Sequence, residues 1–245
     1  MKKWIYRIAL VAALSVFAYS AYQLYTIYQG SQQVSREQEE LAGIVQEQEE
    51  GFAPDWEALR QKNPDIIGWV YVPGCDHVSF PIVQGADNEF YLDHTAMKEN
   101  NIRGAIFLDA ETASDFSQEN NLIYGHSVDG GGMFTSLDRF EDQAFFDTHR
   151  DFYILTPQGN YRCPIVAFAK TEEGSSFYLK YDDRNAIAEH VAKIKAEALY
   201  TRDVETEGKT LVTLSTCDLD YGFDSINRLV LVGVMEPTSE PVVVE

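Results

Sequence analysis

A cysteine ends the run "TLVTLSTC" at position 217, and an arginine opens the run "RLVLVGV" at position 228. Period-two alternation puts Thr213, Ser215 and Cys217 on one face of the first run and Val212, Leu214 and Thr216 on the other. The thiol therefore shares a polar face. If the two runs pair antiparallel across "DLDYGFDSIN", thiol and guanidinium become neighbours at one end of a sheet. A thiol is a candidate nucleophile, and an always-charged planar donor suits the oxygen of an attacked carbonyl. The same spacing fits equally a half-buried cysteine and an unrelated surface arginine.

A thiol nucleophile also needs a group that accepts and returns a proton. Five histidines are available: His77, His94, His126, His149 and His190. His126 stands out because "NNLIYGHSVDGGGMF" places it after an apolar strand and before a glycine-rich loop, where a rigid scaffold can present it. A plain turn histidine is the competing reading. His190, amid "AIAEHVAK", reads as an ordinary helix residue, and the other three lie in surface-like segments. Asp218, Asp220 and Asp224 follow the cysteine; they are candidates to orient His126, or members of a solvated loop. No pair of histidines or cysteines has zinc-ligand spacing, and the chain has neither a P-loop nor a dinucleotide fingerprint, so no metal or organic cofactor is expected.

These residues need a frame. Eight short runs read as strands, most of them bounded by Gly, Pro, Asn or Asp: "IIGWVYVPG", "VSFPIVQG", "GAIFLDA", "NNLIYGHS", "FYILTP", "YRCPIVAFAK", "KTLVTLSTC" and "RLVLVGVM". A short helix over "APDWEALRQKNPD" should start at an Asp55 cap and stop at Asn63-Pro64. Two further helical patterns follow, "MFTSLDRFEDQAFF" with Met133, Leu137 and Phe140 on one face, and "RNAIAEHVAKIKAEALY" with Ile187, Val191, Ile194 and Ala198 as its stripe. Many strands and few helices predict a mainly β protein, a closed barrel decorated by helices.

The amino-terminal end differs in kind. From Ile8 to Tyr22 no residue is charged, the apolar run continues to about Tyr28, and Lys2, Lys3 and Arg7 precede or border it. That length crosses a bilayer of about 30 Å, with the amino terminus in the cytoplasm and the rest outside. A cleaved signal peptide is the alternative, since Ala18-Tyr19-Ser20 loosely resembles a cleavage site. The expected division is an anchor over 1–28, an acidic Gln/Glu-rich stalk over 29–54 and an extracellular domain over 55–245. A net charge of -20 argues against nucleic-acid binding. Cys75, Cys163 and Cys217 are an odd number for an oxidising compartment, which leaves at least one free thiol or one external pairing.

"TLSTC" with Arg228 eleven residues on, and "YGHS" upstream, resembles the sortases, exported cysteine transpeptidases of Gram-positive bacteria. "NPDIIGWVYVPG", "FPIVQGADNEFYLDH" and "GAIFLD" are similar to the class B pattern, and the resemblance covers about residues 55 to 236. It implies an eight-stranded sortase barrel with a helix at its amino-terminal end and a long helix before the cysteine strand. It implies Cys217, His126 and Arg228 as catalytic residues. It also implies Asn88, Leu92, Tyr124 and Ser215 as substrate-groove residues.

The implied activity is membrane-anchored transpeptidation. A carboxyl-terminal sorting signal on an exported protein is cut after threonine through a thioester, and the acyl group passes to an amine of a peptidoglycan precursor. A pilin-polymerising sortase and an exported thiol hydrolase remain open alternatives. A tethered binding module without activity is a further rival. Cys75, in "VPGCDHVSF", departs from the family pattern and leaves room for a second reactive thiol; Cys163 reads as a strand residue.

Overall fold

The computed structural model describes residues 2–48, 51–75, 78–128, 131–180, 186–222 and 225–242; His77 and Asp224 lie outside them. From the amino terminus come α1 (Lys2–Ile44), a hairpin of β1 (Val45–Gln48) and β2 (Gly51–Pro54), and α2 (Trp56–Lys62). Next are β3 (Ile66–Tyr71), β4 (Ser79–Val83), β5 (Ile106–Leu108), β6 (Asn120–Tyr124), α3 (Gln143–Thr148), β7 (Asp151–Thr156) and β8 (Gly159–Glu172). Last come α4 (Ile187–Glu197), β9 (Tyr200–Thr201), β10 (Thr210–Cys217) and β11 (Asn227–Thr238).

The eight strand-like runs of the sequence become β3 to β8, β10 and β11. They neighbour one another in the order β11-β10-β6-β5-β4-β3-β7-β8, and β8 pairs with β11 to close the ring. The two-residue β9 is added to β8 outside the ring. Closure leaves no exposed barrel edge.

Alternation decides which side chains fill the barrel. Val212 and Leu214 of β10 and Leu229 and Leu231 of β11 point inward among Ile123, Phe152 and Phe168. The opposite face is covered as well: Leu211, Val230, Val232 and Val234 pack beneath Ile187, Val191 and Ile194 of α4. The apolar stripe of α4 is what makes it a cover, because residues three and four apart share one side of a helix. At α2 the Asp55 side chain accepts from Ala58 N at 3.0 Å, and the helix ends at Asn63, as its sequence predicts.

Two elements depart from expectation. The segment predicted as one helix over 133–146 is a 3-10 helix at Thr135–Glu141 followed by α3. Asp142 is the cause: its extended backbone breaks the first helix while its carboxylate caps the second at Ala144 N, 2.7 Å away. The other is the Gln/Glu-rich segment expected as a stalk, where α1 continues to Ile44 and β1 and β2 then pair as a hairpin.

From Gly30 onward α1 rests on the domain. Asn101 Nδ2 donates to the Gly30 carbonyl at 2.9 Å, Gln38 Nε2 to Ser79 O at 3.1 Å, and Leu41 is buried. Before that, the helix projects as a bare apolar rod, long and apolar enough to cross a membrane. Trp4 and Tyr6 mark one end of the rod and Tyr22, Tyr25 and Tyr28 the other, an arrangement suited to two bilayer interfaces.

Candidate active site

Three adjacent strands assemble the site. Strands β6 and β10 run parallel with Tyr124 opposite Ser215, so their carboxyl ends, and the residues just beyond them, emerge at the same rim. His126 is two residues past Tyr124 and Cys217 two past Ser215. Strand β11 runs antiparallel to β10 with Arg228 directly opposite Cys217. Thiol and guanidinium are therefore neighbours, and the histidine comes from the strand on the other side of the thiol. The rim is laced by Gly125 N to Ser215 O at 3.1 Å and by Ser127 Oγ with Thr216 Oγ1 at 2.9 Å.

His126 is oriented by backbone. Its Nε2 lies 2.8 Å from the carbonyl oxygen of Leu92. A carbonyl only accepts, so Nε2 carries a proton and Nδ1 is the nitrogen left to exchange one. The role expected for Leu92 as a groove residue thus has a second part: its main chain sets the tautomer of the histidine. Gly104 permits this approach. It has φ of +59°, and a Cβ there would lie 2.8 Å from Leu92 O and 3.0 Å from His126 Cδ2.

Arg228 is held on three sides. Its Nη1 donates to Ser225 O at 2.6 Å and to Asn227 O at 3.0 Å, and its Nη2 pairs with Glu173 Oε1 at 3.1 Å. Asp218 and Asp220, candidates to orient His126, instead bind Lys170, whose Nζ lies 3.2 and 3.0 Å from them and 2.9 Å from Glu141. Asp218 is buried, which corrects its reading as part of a solvated loop. Cys75 is buried with Sγ 3.2 Å from Ser136 O, and Cys163 is buried in the barrel, where desolvation raises its thiol pKa far above the usual range. Among the described residues all three cysteines are free thiols, and Cys217 alone is partly accessible.

The four groove candidates do converge. Asn88, Leu92, Tyr124 and Ser215 line one cavity of about 390 Å³ together with His126, Cys217 and Arg228. Tyr178, which the sequence reading missed, lines it too; its hydroxyl shares a 2.7 Å hydrogen bond with Ser215 Oγ, and burial pushes its pKa up to about 12. No local pattern marks Tyr178, because it reaches the groove from the loop after β8.

Asp109, also missed, ties the groove floor together. Its carboxylate receives Asn88 Nδ2 at 3.1 Å, Tyr124 OH at 3.2 Å and Lys180 Nζ at 2.7 Å. Burial raises its pKa, but Lys180, the Glu111 N–H and Asn88 outweigh that and hold the carboxyl below its ordinary range. A depressed folded-state pKa contributes stability that is complete above the unfolded value of about 4 and is lost as pH falls through the folded value. Asp109→Asn is therefore expected to flatten the acid limb of the melting temperature against pH below the ordinary carboxylate value of about 4, and to raise KM for peptide more than it lowers kcat. An unchanged acid limb with unchanged KM would show that Asp109 does not organise the groove.

Residues 70–236 match the family profile described as the Sortase domain. Sortase B of Listeria monocytogenes is 31% identical over 179 residues, which are 71% of this chain and 71% of that protein. Sortase B of Staphylococcus aureus is 27% identical over 233 residues, 93% of this chain and 94% of the relative. Among solved structures, the Staphylococcus aureus sortase B–substrate complex superposes with a TM-score of 0.76 at 25% identity, covering 86% of this chain and all (100%) of that one.

Proposed function

The chain belongs to the sortase family, class B, the cysteine transpeptidases of the Gram-positive cell wall, and on that footing we propose that it cleaves a carboxyl-terminal sorting signal of exported proteins after threonine and joins the new acyl end to a peptidoglycan amine. In this reading Cys217 Sγ attacks the threonine carbonyl carbon and its proton passes to His126. The carbon–nitrogen bond then breaks, the leaving amine takes that proton, and a thioester remains. The acceptor amine attacks the thioester, gives a proton to His126, and the thiol is restored when that proton returns to sulfur. Since Leu92 O occupies Nε2, Nδ1 is the atom through which these protons move.

Arg228 donates to the carbonyl oxygen as it gains charge. The observation that carries the reading is the register: Cys217 faces Arg228 across β10 and β11, while parallel β6 brings His126 to the same rim. Asn88, Leu92, Tyr124 and Ser215, with Tyr178, are the residues that would hold the signal upstream of the cut.

The first 28 residues act as an uncleaved anchor with Lys2, Lys3 and Arg7 on the cytoplasmic side. Residues 29–54 connect it to an extracellular domain over 55–245.

The test is mass spectrometry of the full chain in detergent with a panel of threonine-containing pentapeptides and with glycine-, diaminopimelate- or lysine-bearing acceptors. A thioester on Cys217 and a joined product, both lost in Cys217→Ala, are expected. A thioester that water alone resolves, with every acceptor present, would make the protein a hydrolase. Folded protein that forms no thioester with any peptide would defeat the enzymatic reading.

A further inference from the structure

A histidine stands inside the apolar stripe of α4. His190 follows Ile187 by three residues and precedes Ile194 by four, so it faces the sheet with them, and it is 0% exposed. Its ring is held at both nitrogens. Nδ1 lies 2.9 and 3.1 Å from the two carboxylate oxygens of Glu119, itself buried just before β6, and Nε2 lies 2.8 Å from the Ser176 carbonyl oxygen. A carbonyl only accepts, so Nε2 carries a proton and donates it.

Burying a polar pair costs desolvation, and apolar residues of like volume often serve stability as well or better. Ile187, Val191 and Ile194 already cover the sheet. What an apolar side chain cannot do is hold a main-chain oxygen.

The oxygen that His190 holds belongs to the 3-10 turn Ser176–Tyr178, and Asn120, the first residue of β6, holds the same segment from the sheet. Its Nδ2 donates to Phe177 O at 2.9 Å and to Leu179 O at 3.1 Å, while its Oδ1 accepts from Thr213 Oγ1 at 2.9 Å. The carbonyls of residues 176, 177 and 179 are thus bound by two fully buried side chains, and Phe177 packs against α4. Tyr178 is the residue these anchors bracket. It is also the one that reaches Ser215 Oγ and lines the signal groove, where His190, Glu119 and Asn120 do not appear.

We propose that His190, Glu119 and Asn120 are positioning residues for the signal groove: they fix the main chain on both sides of Tyr178 and so hold its phenol where peptide binds, without touching peptide themselves. The inference rests on the transpeptidase reading. A contact residue locked from behind loses less freedom when its ligand arrives, so the clamp acts on affinity.

The experiment measures kcat and KM of the full chain in detergent with the pentapeptide that acylates Cys217 in the assay above. In the double variant Glu119→Leu/His190→Leu the pair becomes apolar, so the melting temperature is expected to hold, whereas KM rises about tenfold with kcat within about threefold. His190→Gln keeps an N–H for Ser176 O and is expected to stay within about threefold of the parent KM. Asn120→Ala, which removes the donor to Phe177 O and Leu179 O, is expected to raise KM as the apolar pair does. Tyr178→Ala should raise it at least as much, and in that protein neither change should raise it further, because residues that act through Tyr178 lose their effect with it. A folded apolar pair or a folded Asn120→Ala protein with the parent KM overturns the proposal. So does a rise in KM of the same size with and without Tyr178, which would leave the clamp a merely structural part of the domain. The enzymatic reading fails separately, by the absence of a thioester in the parent protein.

Discussion

An Arg228→Lys protein is expected to fold as the parent does and to turn over peptide about 10²–10³-fold more slowly in kcat/KM. The charge is kept, so the loss isolates geometry. The guanidinium donates to two carbonyls, Ser225 O and Asn227 O, and pairs with the Glu173 carboxylate. Its planar fork carries five N–H donors, so it can hold these three partners and still offer an N–H to a developing oxyanion. An ammonium on a flexible stem is drawn wholly toward the carbonyls and the carboxylate. Peptide kinetics would be measured beside thermal unfolding, with Arg228→Ala as the limit of complete loss. A lysine variant within threefold of the parent would reduce Arg228 to a source of positive potential.

Gly104→Ala should be nearly as damaging, although residue 104 touches no substrate. A Cβ there would stand 2.4 Å from Tyr91 O, 2.8 Å from Leu92 O and 3.0 Å from the His126 ring, on a backbone of φ +59° that favours glycine. One of these atoms, Leu92 O, holds the histidine, and another belongs to the imidazole itself. Relief of the clash must move the Leu92 carbonyl, the imidazole or both, and a displacement of about 1 Å at a reacting group costs on the order of a hundredfold. The expected result is a kcat lowered about ten- to a hundredfold well below the melting temperature. The NMR chemical shift of the His126 Nε2–H should move with it, as its Leu92 O acceptor moves. A lower melting temperature with unchanged kcat and an unchanged Nε2–H shift would make Gly104 a purely structural glycine.

Much of the frame was legible because it depends on local rules. All eight barrel strands follow from period-two alternation and their bounding turn residues, α4 from its Ile187-Val191-Ile194 stripe, and α2 from the Asp55 cap. The single helix expected over 133–146 failed for a local reason too: the apolar spacing was right, but Asp142 is a better cap than helix interior. How the stalk segment meets the domain is instead a nonlocal matter. Nothing in "QGSQQVSREQEELAG" shows that Asn101 and Ser79 wait to receive it.

The site divides along the same line. Cys217, His126 and Arg228 could be named from residue type and from likeness to a family, whereas spacing alone left the thiol and guanidinium as unrelated as they were paired. The sequence by itself determined which residues face inward, where the chemistry-bearing side chains stand along their strands, and that an apolar helix precedes the domain. Only the tertiary structure decided that β6 lies beside β10 in parallel, that a main-chain carbonyl holds His126, and that Asp109 binds the groove together. The physical reason is range. Alternation and capping act within a few residues, but strand neighbours, buried carboxylate partners and backbone acceptors are set by which distant segments close the barrel, and every residue offers the same carbonyl until folding selects one.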